Sequence, residues 1–418
     1  VNPALRETVS ETPMAPSNDS AVAIAQEWFA ELNAWIDAHG LEGYDPFDVK
    51  QHPWIRAAQT RPLLRKATTG LCDLAPVAAR RLLGTAPAKN PKAFALVALG
   101  KLRLYQLTGE PAALEAAEQH LHWLLAHPTE YSPGLSWGYP FDIHAKGLDT
   151  PRGTPISVVT AIAGQAFCRA ATLTGDARYF DIVRRISAFM ISGLPRLSWI
   201  GGCYCFAYTP SDRRRVHNAS LLVAEHLYRA AALLDEPSLA EAAAPALAFT
   251  LREQREDGAW RYGEHAPGDP YEAGLLGLVD HHHTGFVLRS LQAIRDITGD
   301  DSLVPVIRRG FDFYRKHLLL PTGMPVNDYG HYPVDIHACA EAVLCPSALQ
   351  REVLAARGLA DLPLRWTHYY LRDPRNGLPW YRKYPRFTSR IHFPRWGTAW
   401  MYCALAEYLH ARCSTTPH

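Results

Sequence analysis

No stretch of the sequence approaches the roughly 18 consecutive apolar residues that a helix needs to cross a bilayer. A membrane span is therefore not expected. There is also no surplus of one charge: 43 Lys and Arg face 41 Asp and Glu, a formal net charge of +2. Proteins that grip nucleic acid or an anionic membrane surface ordinarily carry a basic excess, so neither partner is expected. The first residues lack a basic segment followed by an apolar one. Val1-Asn-Pro-Ala-Leu-Arg6 leads into a Ser/Thr/Pro/Glu stretch up to about Asn18. This reads as a disordered lead over 1–20 without a secretion signal, and the expected location is cytoplasmic. The eight cysteines have no regular spacing, and Cys168, Cys339 and Cys403 sit inside apolar helical patterns. They are expected as small buried hydrophobes rather than disulfides or zinc ligands. No cofactor and no metal are expected.

What the sequence does have is an internal repeat. A Leu/Ile-Thr-Gly-acid turn separates two apolar-periodic segments at Leu107-Thr-Gly-Glu110, Leu173-Thr-Gly-Asp176 and Ile297-Thr-Gly-Asp300, with a degenerate copy at Leu233-Leu-Asp-Glu236. In the unit 155–193, Val158, Val159, Ile162, Ala166 and Ala170 recur at helical spacing before the turn. Tyr179, Ile182, Val183, Ile186, Phe189 and Met190 do so after it. Gly suits the end of the first helix, and the acid suits the start of the second. The other connection in each unit is long and rich in Gly, Pro, aromatic and ionisable residues: 127–154, 194–217, 256–283, 319–336 and 372–395. Connections of this length are uncommon unless functional. With further helical segments near 22–39, 92–126 and 396–412, twelve to fourteen helices are expected. They would stack side by side in one all-α domain over 21–412, with a tail at 413–418. Short strand pairs are expected inside loops such as 199–208.

This pattern resembles the α/α toroids, or (α/α)6 barrels. Phe249-x4-Gln254-x3-Gly258-x-Trp260 matches the end of the QW motif of squalene-cyclase-like toroids. The class II cyclase Asp-x-Asp-Asp signature is absent. The ligand motifs of the zinc toroids, the prenyltransferases and lanthionine cyclases, are not matched, and neither are the His-containing helix motifs of the N-acylglucosamine 2-epimerases. Over roughly residues 90–410 the chain looks more like carbohydrate-active toroids. These are the helical domain of glucuronyl C5-epimerases, the unsaturated glucuronyl hydrolases, and a toroid family encoded near bacterial polysaccharide-synthesis genes. The resemblance implies an (α/α)6 toroid whose long loops form a cleft on one face, acting on a bacterial saccharide.

Four features mark that cleft. First, the helices after the long loops start at Thr154-Pro155, His217-Asn218, His283-Thr284, Asp335-Ile-His337 and Arg395-Trp396. Thr, Asn and Asp are ordinary caps, and Pro favours the first turn. His is not a favoured cap, so three starts carrying it ask for another reason. Second, Trp137-Gly-Tyr139-Pro-Phe-Asp142 sets aromatics beside a carboxylate, as a sugar site does, and Gly43-Tyr-Asp-Pro-Phe-Asp48 echoes it. Trp260, Tyr262 and Glu264 follow an outer helix in the same manner, as do Trp380 and Tyr381. Third, the run Asp280-His-His-His-Thr284 cannot offer all three rings to one ion, because helical neighbours point about 100° apart. One or two rings, His282 and His283 among them, are expected to face the cleft, with Asp280 orienting one. Fourth, loop 372–395 gathers Arg372, Arg375, Arg382, Lys383, Arg386, Arg390 and Arg395 against the single acid Asp373. Arg213-Arg-Arg215 lies in another long loop. Arginine suits carboxylate or phosphate. A cationic face of this kind would also suit a contact between two copies, so a homodimer is compatible with it.

Together these point to an anionic, uronate-containing saccharide. The expected chemistry is removal of the proton next to the carboxylate, as a C5-epimerase or lyase does. His217, His283 or His337 would be the base, Tyr139 or Tyr332 the proton partner, and Arg395 or an arginine of the 213–215 group the neutralising cation. Trp137, Asn218, Trp260, Tyr262, Glu264, Asp280, His282 and Trp396 would complete the binding surface. The alternatives are a glycoside hydrolase using Asp142, Asp280 or Asp335 with Glu264 behind them, a cyclase or transferase of the toroid superfamily, and a non-catalytic partner in polysaccharide synthesis.

Overall fold

The computed structural model describes residues 20–413, apart from 50–51, 60, 62, 65–67, 69–71, 73–74, 130–133, 146–147, 270–273 and 275. The lead expected over most of 1–20 and the tail at 414–418 lie outside the described residues. Twelve long helices carry the architecture. In chain order they are α1 (Ala21–His39), α2 (Pro91–Thr108), α3 (Pro111–Ala126), α4 (Ser157–Thr174), α5 (Ala177–Ser192), α6 (His217–Leu234), α7 (Pro237–Arg252), α8 (His281–Thr298), α9 (Leu303–His317), α10 (Ile336–Leu349), α11 (Asp361–Leu371) and α12 (Ala399–Cys413). Among the described residues, the short helices Pro53–Gln59 and Pro76–Leu82 lie in the connection between α1 and α2.

Burial separates the helices into two rings. Along α2 every residue from Pro91 to Leu102 is buried, and α4 is buried continuously from Ser157 to Gly164. Helices that are apolar or small all round belong inside. Helix α5 buries Tyr179, Ile182, Val183, Ile186, Phe189 and Met190, a single stripe at helical spacing, so it lies outside. The even-numbered helices pack in sequence, α2 on α4, α6, α8, α10 and α12, and α12 returns to α2. The odd-numbered helices back them, and α1 completes the outer ring against α11 and α12. This is an (α/α)6 toroid.

The repeat turns do what their residues allow. Gly109, Gly175 and Gly299 cap α2, α4 and α8 in the left-handed conformation at φ near +70°. Asp235 does the same for α6 at φ 55°. Each inner helix is entered from a long connection, and those capped this way leave by a terse turn. All six therefore run the same way, and their N-termini converge at one end. The long connections carry short hairpins, including Arg196–Ser198 with Tyr204–Phe206 in the loop where a pair was expected. Arg382–Lys383 joins both Thr388–Ser389 and Val334–Asp335. Among the described residues, no helix is long and apolar enough to cross a membrane.

Candidate functional site

At the long-loop end, six helix N-termini present partial positive charge to the axis. The side chains there begin with Asp280. It caps α8, and its Oδ1 accepts the His283 backbone N–H at 2.9 Å. Its Oδ2 lies 2.5 Å from His283 Nδ1. At that distance Nδ1–H donates to the carboxylate, which orients the ring. Tyr262 stands beside His283 with ring centroids 4.4 Å apart. His282 turns the other way, 4.0 Å from His283 and 4.7 Å from His337. One donor atom from each of Asp280, His282 and His283 falls within 4.8 Å of the others. Two ligands of one zinc ion stand roughly 3.3 Å apart, given metal–ligand bonds of about 2.0–2.1 Å. The 2.5 Å Asp280–His283 separation is instead that of a hydrogen bond.

Asp335 caps α10 in the same way. Its Oδ1 accepts the His337 backbone N–H at 2.9 Å and the Trp396 indole N–H at 2.5 Å, and its Oδ2 accepts Arg382 Nε at 2.7 Å. With both oxygens engaged, this carboxylate positions its neighbours. His337 is 3% exposed, and neither ring nitrogen has a hydrogen-bond partner among the described residues. It packs between Trp396 at 4.6 Å and Trp400 at 4.7 Å.

Two cations close the group. Arg395 sits in a wide π-type turn, Pro394–Thr398, ahead of α12. It holds Asp45 through Nε at 2.5 Å and Nη2 at 2.7 Å, and its guanidinium carbon lies 4.8 Å from the Tyr139 ring centroid. Its Nη1 is buried without a partner. Lys92, at the start of α2, is 4% exposed and lies 5.0 Å over the Trp400 ring. It makes no side-chain hydrogen bond or ion pair among the described residues. Burial, reinforced by the Arg395 charge, holds its pKa well below the ordinary lysine range. Burial also pushes His282 down to about 4 and lowers His337, the latter helped by His282, Lys92 and Arg395. Both imidazoles are neutral at pH 7. Burial moves the tyrosines the other way, Tyr262 up to about 12 and Tyr139 upward, so both keep their protons. A cavity of about 370 Å³ opens beside Arg395 and is also lined by Asn90, Asp45, Asp142 and Arg152.

The remaining expected residues fall around this centre. His217 is buried behind it, stacked on Phe249 at 4.6 Å, with Nε2 3.4 Å from Glu264. It shares a small hollow with Asn218, Trp260, Tyr262 and His283 but faces Glu264 rather than the axis. Glu264 is held by His217 and by Arg261 at 3.7 Å. Asp142 lies in the 370 Å³ cavity, where it accepts the Arg152 backbone N–H at 2.7 Å. Tyr332 is half-buried in its loop, ahead of a cis Tyr332–Pro333 peptide. Trp137 is fully buried and donates its indole N–H to Leu124 O at 2.9 Å; Trp260 is 2% exposed and donates to Thr250 O at 2.8 Å. Each ring seals the end of an outer helix, and Trp260 also borders the small hollow beside His283. Sequence reasoning missed Lys92, Asp45 and Trp400. Lys92 carries the clearest signal, a lone cation just after Asn90-Pro91 in the otherwise apolar start of a helix. Asp45 lies in the noted echo motif.

No protein-family model matches the chain, and no curated protein matches it in sequence. Solved structures do match in fold. An unsaturated glucuronyl hydrolase specific for heparin aligns over 96% of this chain and 99% of its own, with a TM-score of 0.61 and 14% identity. A polysaccharide lyase aligns over 96% and 100%, at TM-score 0.62 and 12% identity. Cellobiose 2-epimerase from Bacillus thermoamylovorans B4167 aligns over 78% and 88%, at TM-score 0.61 and 12% identity. The chain thus shares the α/α toroid of carbohydrate-active hydrolases, lyases and epimerases.

Proposed function

We propose that the protein is an enzyme that removes the proton next to the carboxylate of an anionic, uronate-type sugar, as an epimerase or lyase. The observation that carries this reading is His337, a buried, neutral imidazole with both nitrogens unpartnered, set beside the unpaired Lys92 and the half-free Arg395. A buried polar group without a partner costs stability unless a ligand supplies one. The buried unsatisfied groups here include the donors Arg395 Nη1 and the Asn90 amide N–H, and the Lys92 amine has no hydrogen bond or ion pair among the described residues. An anion with several acceptor oxygens answers them, and the converging helix N-termini add to the attraction.

In this reading the sugar carboxylate lies between Lys92 and Arg395. The cations stabilise the enolate-like charge that develops as the neighbouring C–H proton leaves. His337 takes that proton in its neutral form. His283, oriented by Asp280, and Tyr262 beside it supply or accept the second proton, which an epimerase needs and a lyase passes to its leaving group. The similar fold of a glucuronyl hydrolase and a polysaccharide lyase supports a saccharide as the substrate class. The hydrolase alternative is less well supported. Asp142, Asp280, Asp335 and Glu264 each already accept a hydrogen bond or pair with a charged or titratable neighbour.

The test is incubation with uronate-containing saccharides in deuterated water. Deuterium at C5, or the ultraviolet absorbance of an unsaturated uronate, is the expected outcome. Exchange confined to C2 of neutral reducing sugars, or release of reducing ends without exchange, would overturn the assignment.

A further inference from the structure

A second cavity, larger than the 370 Å³ one beside Arg395, is not at the long-loop end. A chamber of about 660 Å³ runs inward from the terse-turn end, between the C-terminal halves of the inner helices. That volume is in the range of small-ligand pockets. Its floor is Phe286 and Trp400, and its walls carry arginines, glutamates and glutamines. The repeat builds the walls. Arg103, Arg169 and Arg229 each stand six residues ahead of the residue that caps their helix, Gly109, Gly175 and Asp235.

Most of the charge in this chamber is paired, with Arg351 a further cation in its lining. Arg103 and Arg169 share Glu407, each at 2.8 Å. Arg229 pairs with Glu225 at 2.8 Å, and Arg289 with Glu341 at 2.6 Å. The inner helices point their partial negative ends here. An anion gains little from paired arginines and is opposed by those dipoles. Two buried groups remain unsatisfied: the Gln292 side-chain carbonyl, an acceptor, and the Trp400 indole N–H, a donor. Both residues line the chamber. Hydroxyl groups both donate and accept, and an aromatic floor suits the C–H face of a sugar ring.

We propose that this chamber is a second binding site, for an uncharged saccharide, separate from the anionic site at the long-loop end. Calorimetric titration of the full chain with glucose, mannose, galactose and cellobiose, against glucuronate as the charged control, tests it. At least one neutral sugar is expected to bind saturably. Gln292→Leu should weaken that binding roughly tenfold, the worth of one hydrogen bond to a hydroxyl. Ala293→Trp, which fills part of the chamber without removing a polar group, should abolish it. His283→Asn, at the other end and in ring contact with Tyr262 and His282 rather than with Phe286 or Trp400, should leave it unchanged. Three outcomes overturn the proposal: no saturable binding of any neutral sugar up to ~10 mM, glucuronate binding that Ala293→Trp abolishes, or neutral-sugar binding that fails in His283→Asn and survives in Ala293→Trp. None of these depends on whether the long-loop end catalyses proton transfer.

Discussion

Lys92 sets two demands against each other. A buried amine with no acceptor destabilises the fold, yet an empty cationic position is what an anionic ligand needs. Lys92→Met keeps the length and apolar stem of the side chain and removes the amine. We predict a gain of about 1–3 kcal/mol in stability, read as a melting temperature a few degrees higher. Affinity for the uronate should fall at the same time. A melting temperature that drops would mean the amine has an unseen stabilising partner. His337→Asn should behave differently. The rate of proton exchange should fall by roughly 10²–10⁴ with the fold intact. The pH–rate profile of the native enzyme should have its acid limb below the ordinary histidine value of 6.5, because burial favours the neutral base. An acid limb at or above 6.5 would remove His337 from that role. At this scale the sequence was half legible. His283 and His337 stood out because histidine is an unusual residue at a helix start, and the structure places them within one cluster. His217 shared the pattern, but its hydrogen-bonding direction depends on Glu264, 47 positions away, and no local rule reveals that.

At the scale of elements, the terse turns and long loops could be read directly, since both rest on short-range chemistry. The tryptophans could not. Trp137 and Trp260 stand in loops beside polar residues, a setting that suits a sugar platform equally well. What decides their role is long-range packing. Gln254 donates to Gly258 O at 3.2 Å and Val306 O at 3.0 Å, fastening the loop before Trp260 to α9. A Cβ added at Gly310 would lie 2.6 Å from Trp260 Cζ3. Gly310→Ala is therefore predicted to destabilise the protein by about 1–3 kcal/mol through overpacking, despite alanine's better helix propensity. Thermal unfolding of this variant checks the point. An unchanged melting temperature would show that Trp260 can move, and would reopen it as a ligand-facing ring.

At the scale of the whole molecule, the inner ring buries histidines as neutral groups, and this gives stability a pH dependence with a definite sign. Burial pushes His226 and His281 down to about 3, and His282 to about 4. Their unfolded values are near 6.5. Below pH 6.5 the unfolded chain takes up protons that the folded chain refuses, so stability falls as the pH falls. Each histidine contributes about 1.4 kcal/mol per pH unit once the pH is well below its unfolded value. Three together cost about 4 kcal/mol per unit, which is large against a total of roughly 5–15 kcal/mol. The paired carboxylates act in a lower window. Glu407 is buried but held down to about 2 by Arg169 and Arg103, so its contribution is present above pH 4.5 and lost only as the pH falls toward 2. The decline between pH 6.5 and 4.5 is thus assigned to the histidines. His226→Gln should flatten it by about one quarter or less, because His337 and other lowered histidines share the decline, and the His226 imidazole lies against Ser187 and the wall of α4. Melting temperatures measured across this range, native against His226→Gln, decide the matter. A native curve flat from pH 6.5 to 5 would mean that the inner ring admits water and protons to these histidines, and the same admission would remove the reason to read His282 and His337 as neutral bases.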